Sequence, residues 1–204
     1  EKEATKNWYV SASRMVVGLI YPLCTGVILL GVDFITLWLG YDYIENGKVI
    51  LYITCLAAMF HATNPFSNRY LTALNKHGYL VIMNFVDAFL LITLNIVFVN
   101  IFGLQGVVFG TLISAIIVFP FILQFTCGHL GISAIHYMKK SVLPVIIPNV
   151  LMICIIIIMK RHINIDSYFN LIFVAGVGAF AYLLSFSFFC LNAKERKMLR
   201  EKVF

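Results

Sequence analysis

Residues 61–76, in and just past an apolar stretch at 49–74, carry a recurring set of side chains able to hold polar groups: His61, Asn64, Asn68, Arg69, Thr72, Asn75 and Lys76. At 100° per residue, His61, Asn64, Asn68, Thr72 and Asn75 fall within an arc of roughly 80°, and Arg69 and Lys76 lie beside it. Amides and imidazole offer donors and acceptors to hydroxyl groups, and the cations offer partners to phosphate. A second, sparser set follows in residues 79–102, where Asn84, Asp87 and Asn95 stand at i, i+3 and i+11, again on one side. Polar groups in apolar helices must face protein or a water-filled cavity. The two stripes are therefore expected to face each other, to line a shared cavity, or to hold helices together by hydrogen bonds. Arg69 and Asp87, being ionisable, demand water or a partner. Pro65 removes one backbone hydrogen bond inside the first stripe and permits a kink there.

Other candidate groups point to no chemistry of their own. Asp33 is expected near the outer end of the first apolar stretch, reaching the interface. His129 and His136 are seven residues apart without a carboxylate, which is not the i, i+4 spacing that places two ligands on one face, so no metal site is expected. The five cysteines (Cys24, Cys55, Cys127, Cys154 and Cys190) include no C-x-x-C pair and read as small lipophilic helix residues. There is no G-x-S-x-G, H-E-x-x-H, Walker loop or paired-carboxylate arrangement, so no positive case for an enzyme or a cofactor arises. Gly106 and Gly110 form a G-x-x-x-G, which fits close packing of two helices.

These residues need elements to position them, and composition restricts what those are. The chain of 204 residues is 61% hydrophobic, 12% charged and of mean hydropathy +0.94, more apolar than a soluble core can hide. Runs such as 143–159 and 171–191 are almost continuously apolar, unlike the alternating strands of a β-barrel. An all-α integral membrane protein is predicted, with six spans at about 15–39, 49–74, 79–102, 104–127, 142–159 and 168–191. Residues 1–14 are expected to form a cytoplasmic segment and 192–204 a basic cytoplasmic tail, either a solvated helix end or a contact with lipid headgroups.

Orientation follows from the basic residues. With both ends inside, twelve of the fifteen Lys and Arg residues fall on the cytoplasmic side and only Lys48, Lys160 and Arg161 on the other. Trp8, Tyr9, Trp38, Tyr41, Tyr43, Tyr79, Tyr137 and Tyr168 stand near span ends, as interfacial aromatics do. The net charge of +6 is spread over four cytoplasmic segments, so it reads as topology and not as a nucleic-acid surface.

Three segments carry a family resemblance. Residues 34–43 (FITLWLGYDY) resemble an "LWLG-x-x-Y" span ending, residues 70–78 (YLTALNKHG) an "x-L-N-A-x-G" helix end, and residues 101–114 (IFGLQGVVFGTLIS) a "y-G-l-x-G-a-x-x-a-T-x-I-S" loop and helix start. All three belong, in this order and with similar spacing, to the polysaccharide-specific branch of the multidrug/oligosaccharidyl-lipid/polysaccharide exporter superfamily, the O-antigen flippase type. The resemblance covers residue 34 to about 133. It implies the carboxyl-terminal, six-helix bundle of a larger exporter in a bacterial inner membrane, partnered by an amino-terminal bundle outside this chain. It further implies outward flipping of an undecaprenyl-pyrophosphate-linked oligosaccharide. Arg69, Lys76 and Arg14 would meet the pyrophosphate at the cytoplasmic entrance. His61, Asn64, Asn68, Asn75 and Asn84 would line the route, and Asp87 would carry a coupling proton or cation or else neutralise Arg69. A drug/cation antiporter or lipid II flippase of the same superfamily stays open, as does a membrane scaffold for polysaccharide assembly. A membrane glycosyltransferase or polymerase fits less well, because the outer loops are short.

Overall fold

The structure, a computed structural model, describes residues 2–190. The expected basic tail at 192–204 lies outside the described residues. The chain forms α1 (Lys2–Leu39), a 3-10 turn (Tyr41–Tyr43), α2 (Ile44–Thr63), α3 (Ser67–Ala73), α4 (His77–Phe102), α5 (Gln105–Leu130), α6 (Ala134–Ser141), α7 (Leu143–His162) and α8 (Tyr168–Phe189), with no strand among the described residues. Taking α2 with α3 and α6 with α7, six helical units are long and apolar enough to cross a membrane. The protein is an all-α membrane bundle.

The helix ends follow from local chemistry. Asn75 stands just past α3 at φ 59°, and Lys76 N–H donates to Leu71 O (2.9 Å) while Asn75 N–H donates to Thr72 O (3.0 Å), the paired bonds of a left-handed helix stop. Gly131 at φ 67° closes α5 in the same way, with Ile132 N–H on Cys127 O at 3.0 Å. Ser133 and Ser167 then start α6 and α8 by accepting from His136 N–H (3.1 Å) and Asn170 N–H (3.3 Å).

Packing centres on two helices. α5 lies between α4 and α2, and α1 lies between α2 and the α7–α8 pair. At one end of the bundle Tyr9, Leu123, Cys127, Leu130 and Tyr137 form a core, and further along α1 Leu30 packs with Met152, Ile156, Val174 and Tyr182. α4 is fastened almost entirely to α5 and buries only Leu80 fully. The G-x-x-x-G of α5 makes that contact: a Cβ on Gly106 would overlap the Phe98 carbonyl, and one on Gly110 would overlap the Asn95 side chain. The two backbones approach where those side chains are missing, as the spacing predicts.

Three boundaries differ from expectation. α1 is helical from Lys2 and buries Tyr9 and Ser13, so residues 2–14 are the first turns of the longest helix. The connection expected at 129–141 contains α6, a short helix that turns Tyr137 and Ser141 inward and leaves Lys139 and Lys140 exposed. Residues 49–74 are two helices, interrupted at residues 64–66.

Candidate functional site

The interruption of the second span is the centre of the polar structure. Asn64 leaves the helix at φ −135°, ψ 64°, Pro65 cannot donate a backbone hydrogen bond, and α3 restarts at Ser67. Backbone groups freed in a membrane segment must find partners inside the protein. Tyr137, from α6, donates its hydroxyl to Thr63 O at 2.7 Å. Tyr21, from α1, lies 2.9 Å from Thr63 Oγ1, which itself donates to Met59 O at 2.9 Å. Tyr9, also from α1, donates to Asn64 Oδ1 at 2.5 Å and lies 3.1 Å from Ser67 Oγ. Thr126 of α5 completes the set, 3.0 Å from Ser67 Oγ. Three elements, α1, α5 and α6, thus hold the break, and Asn64 Nδ2 remains buried there without a protein partner.

Tyr9 and Tyr137, expected as interfacial anchors, are in fact the two most deeply buried phenols, at 1% and 0% exposure. Trp8, Trp38, Tyr41, Tyr43 and Tyr168 are exposed, in keeping with an interfacial place. A tyrosine near a span end reads the same in sequence whether it anchors in lipid headgroups or closes a break in the next helix.

The predicted site residues divide into two groups. His61, Asn68, Arg69, Asn75, Lys76 and Asn84 are exposed, and Arg14 is half-buried. Asn64, Asp87 and Asn95 turn inward. The continuous stripe over 61–75 is therefore corrected: His61 precedes the break, Asn68 and Thr72 lie on the separate α3, and Asn75 serves the left-handed stop.

Of the arrangements open to the two stripes, the structure does not face them to each other and instead joins the second to a neighbouring helix by a hydrogen bond. α4 packs on α5, so Asp87 accepts a hydrogen bond from Ser114 Oγ and Asn95 abuts Gly110 with its Oδ1 buried and unpaired. No ion pair joins Asp87 to Arg69 among the described residues. Asp33 is half-buried and paired with Lys160 Nζ at 2.5 Å, and that ammonium also donates to Leu29 O at 2.9 Å. This bond ties α1 to α7 at the opposite end of the bundle. The spacing gave no hint of it beyond placing both residues at the same end.

Two hollows accompany this framework. An apolar groove of about 880 Å³ runs between α1, α7 and α8, past Leu19, Leu23, Gly26 and Leu183. A smaller one, about 430 Å³, lies where α4 begins and α5 ends, among Tyr79, Phe121, Gln124, Phe125, Gly128 and His129. Tyr79 stacks on Phe125 (3.5 Å between centroids, 9° between planes) and donates its hydroxyl to Phe121 O at 3.1 Å. His129 packs at 4.4 Å on the same phenylalanine, with Nδ1 3.0 Å from Phe125 O. That carbonyl can only accept, so Nδ1 carries the proton and Nε2 remains free to bond elsewhere. The sequence signal for this cluster is the series 121, 124, 125, 128 and 129, one helix face by i, i+3, i+4, i+7 and i+8 spacing, in a stretch otherwise read only for a metal site.

Among the described residues no group of three His, Cys, Asp or Glu side chains is placed to hold a metal ion. Comparison of the chain with protein-family models, with curated proteins and with solved structures found no match.

Proposed function

We propose that the protein takes part in moving a lipid-linked oligosaccharide across a bacterial inner membrane, acting with a second helical bundle that covers its polar face. The observation that carries this reading is the interrupted second span. An apolar bundle holds a helix break open with buried hydrogen bonds and leaves His61, Asn68 and Arg69 exposed on either side of it. A continuous helix satisfies its backbone without help, so a break held by protein hydrogen bonds at the end of the bundle where the chain starts suits a polar ligand entering there. Imidazole, amide and guanidinium together suit a sugar–pyrophosphate headgroup, and the three ordered segment resemblances point to the same class of cargo. Of the two acids that a drug/cation antiporter could use, Asp33 is paired with Lys160, and Asp87 accepts a bond from Ser114 on one oxygen.

The test is translocation of a fluorescent polyprenyl-pyrophosphate oligosaccharide in proteoliposomes. Movement above protein-free liposomes is expected. Movement no faster than in protein-free liposomes, together with proton-coupled efflux of organic cations, would replace this reading with antiport.

A further inference from the structure

The hollow between α4 and α5 lies at the same end of the bundle as the helix break, and none of the predicted stripe residues lines it. Tyr79 is in the first turn of α4 and His129 in the last turn of α5, so the hollow sits near a membrane face, at the depth of lipid headgroups. Its walls combine three kinds of surface. Tyr79, Phe121 and Phe125 supply aromatic rings, and Phe121 is exposed. Gln124 is exposed with no protein partner for its amide, and His129 Nε2 is likewise free.

Gly128 supplies bare backbone. It is helical, has an ordinary φ, and a Cβ there would meet nothing within 4 Å. Neither conformation nor packing calls for glycine at this position, although glycine weakens a helix interior relative to alanine. What it does is keep the floor of the hollow open.

The surrounding charge narrows the ligand. No acid lines the hollow. Lys76 and His77 directly precede the turn that carries Tyr79, and Arg69 precedes Tyr70, whose hydroxyl lies 3.5 Å from His129 O. A hollow without a lining acid among the described residues lacks the carboxylate that would hold an organic cation on the rings, and Lys76, at the start of the helix that carries Tyr79, suits a neutral group attached to an anion. A pyranose has an apolar C–H face that fits the electron-rich face of an aromatic ring, and hydroxyls that fit an amide and an imidazole. A volume of about 430 Å³ lies within the range of small-ligand sites.

We infer that the Tyr79–Phe125–His129 shelf binds one sugar ring of a lipid-linked headgroup whose phosphate is drawn by Arg69 and Lys76. The choice of a saccharide rests on the transport reading above; the shelf, its open floor and its basic surround are independent of it.

The test is equilibrium binding to the protein in phosphatidylglycerol-containing nanodiscs, with two radiolabelled probes: citronellyl pyrophosphate, and the same compound carrying N-acetylglucosamine. The sugar-bearing probe is expected to bind about tenfold more tightly. Gly128→Leu, whose Cβ would meet nothing within 4 Å and whose branched end would enter the hollow, should bring the ratio below about twofold while binding of the bare pyrophosphate is unchanged. Gln124→Ala should lower the ratio by a smaller factor. Equal affinity for the two probes overturns the inference, and so does a tenfold ratio that survives Gly128→Leu. Parallel translocation assays separate the two proposals: sugar preference without translocation rejects transport, and translocation without sugar preference rejects the shelf.

Discussion

Single residues around the break have separable roles. Arg69 is exposed on α3 and bonds to no described residue, so Arg69→Ala should leave folded yield unchanged and lower translocation roughly tenfold, as removal of an intramembrane functional charge does. Tyr137→Phe should act in the opposite manner. It strands the buried Thr63 carbonyl, at a cost of about 1–3 kcal/mol, read as a lower midpoint of thermal unfolding in detergent. Tyr21→Phe should cost less, since Thr63 Oγ1 keeps its bond to Met59 O. His61, Asn68 and Arg69 were legible in the sequence because polar groups stand out against an apolar background. Tyr9 and Tyr137 were not, because burial of a phenol depends on which helix lies opposite, and their partners are 55 and 74 residues away. A separation of 127 residues hid the Asp33–Lys160 pair.

At the scale of elements, one glycine on α5 and one on α8 make a contrast that can be measured. Gly106→Val drives a side chain into the Phe98 backbone, which has no rotamer to yield, and should destabilise by about 1–3 kcal/mol or more by loosening α4 from α5. Gly176→Ala meets nothing within 4 Å and should stabilise α8 by about 0.5–1 kcal/mol. Fluorescence-monitored thermal unfolding of both variants checks the pair; equal midpoints would remove the close α4–α5 contact as a stabilising feature. The six spans were readable from length and hydropathy, and the G-x-x-x-G from its spacing. The division of residues 49–74 was signalled only by Pro65, which permits a kink as readily as a break. What made it a break is the set of tyrosine hydroxyls waiting on α1 and α6. α6 itself escaped notice because eight residues with two exposed lysines look like a loop in a hydropathy profile.

For the whole molecule, the alternation of helices puts the chain start, the break and the hollow at Tyr79 and His129 at one end and the Asp33–Lys160 pair at the other. The distribution of Lys and Arg predicts that the first end is cytoplasmic. In a cysteine-free background, Lys76→Cys should react with a membrane-impermeant maleimide only in inside-out vesicles, and Lys48→Cys only in right-side-out cells; the reverse pattern would invert the topology. At the far end, Lys160→Met leaves Asp33 half-buried and unpaired and should destabilise by about 1–2 kcal/mol, much of which Asp33→Asn in the same chain should restore. A thermal-unfolding double-mutant cycle measures that coupling.

The length of α1 has a mechanical meaning. Its 38 residues make a rod of ~57 Å, nearly twice the ~30 Å thickness of a bilayer's hydrocarbon core. Tyr9 bolts one end to the broken helix, and Asp33 bolts the other to α7. Pro22, near the middle, is its weakest joint. Such a beam cannot lean as one piece while both bolts hold: either one bolt lets go or the beam bends at Pro22. Any movement that opens one face of the bundle is thereby felt at the other.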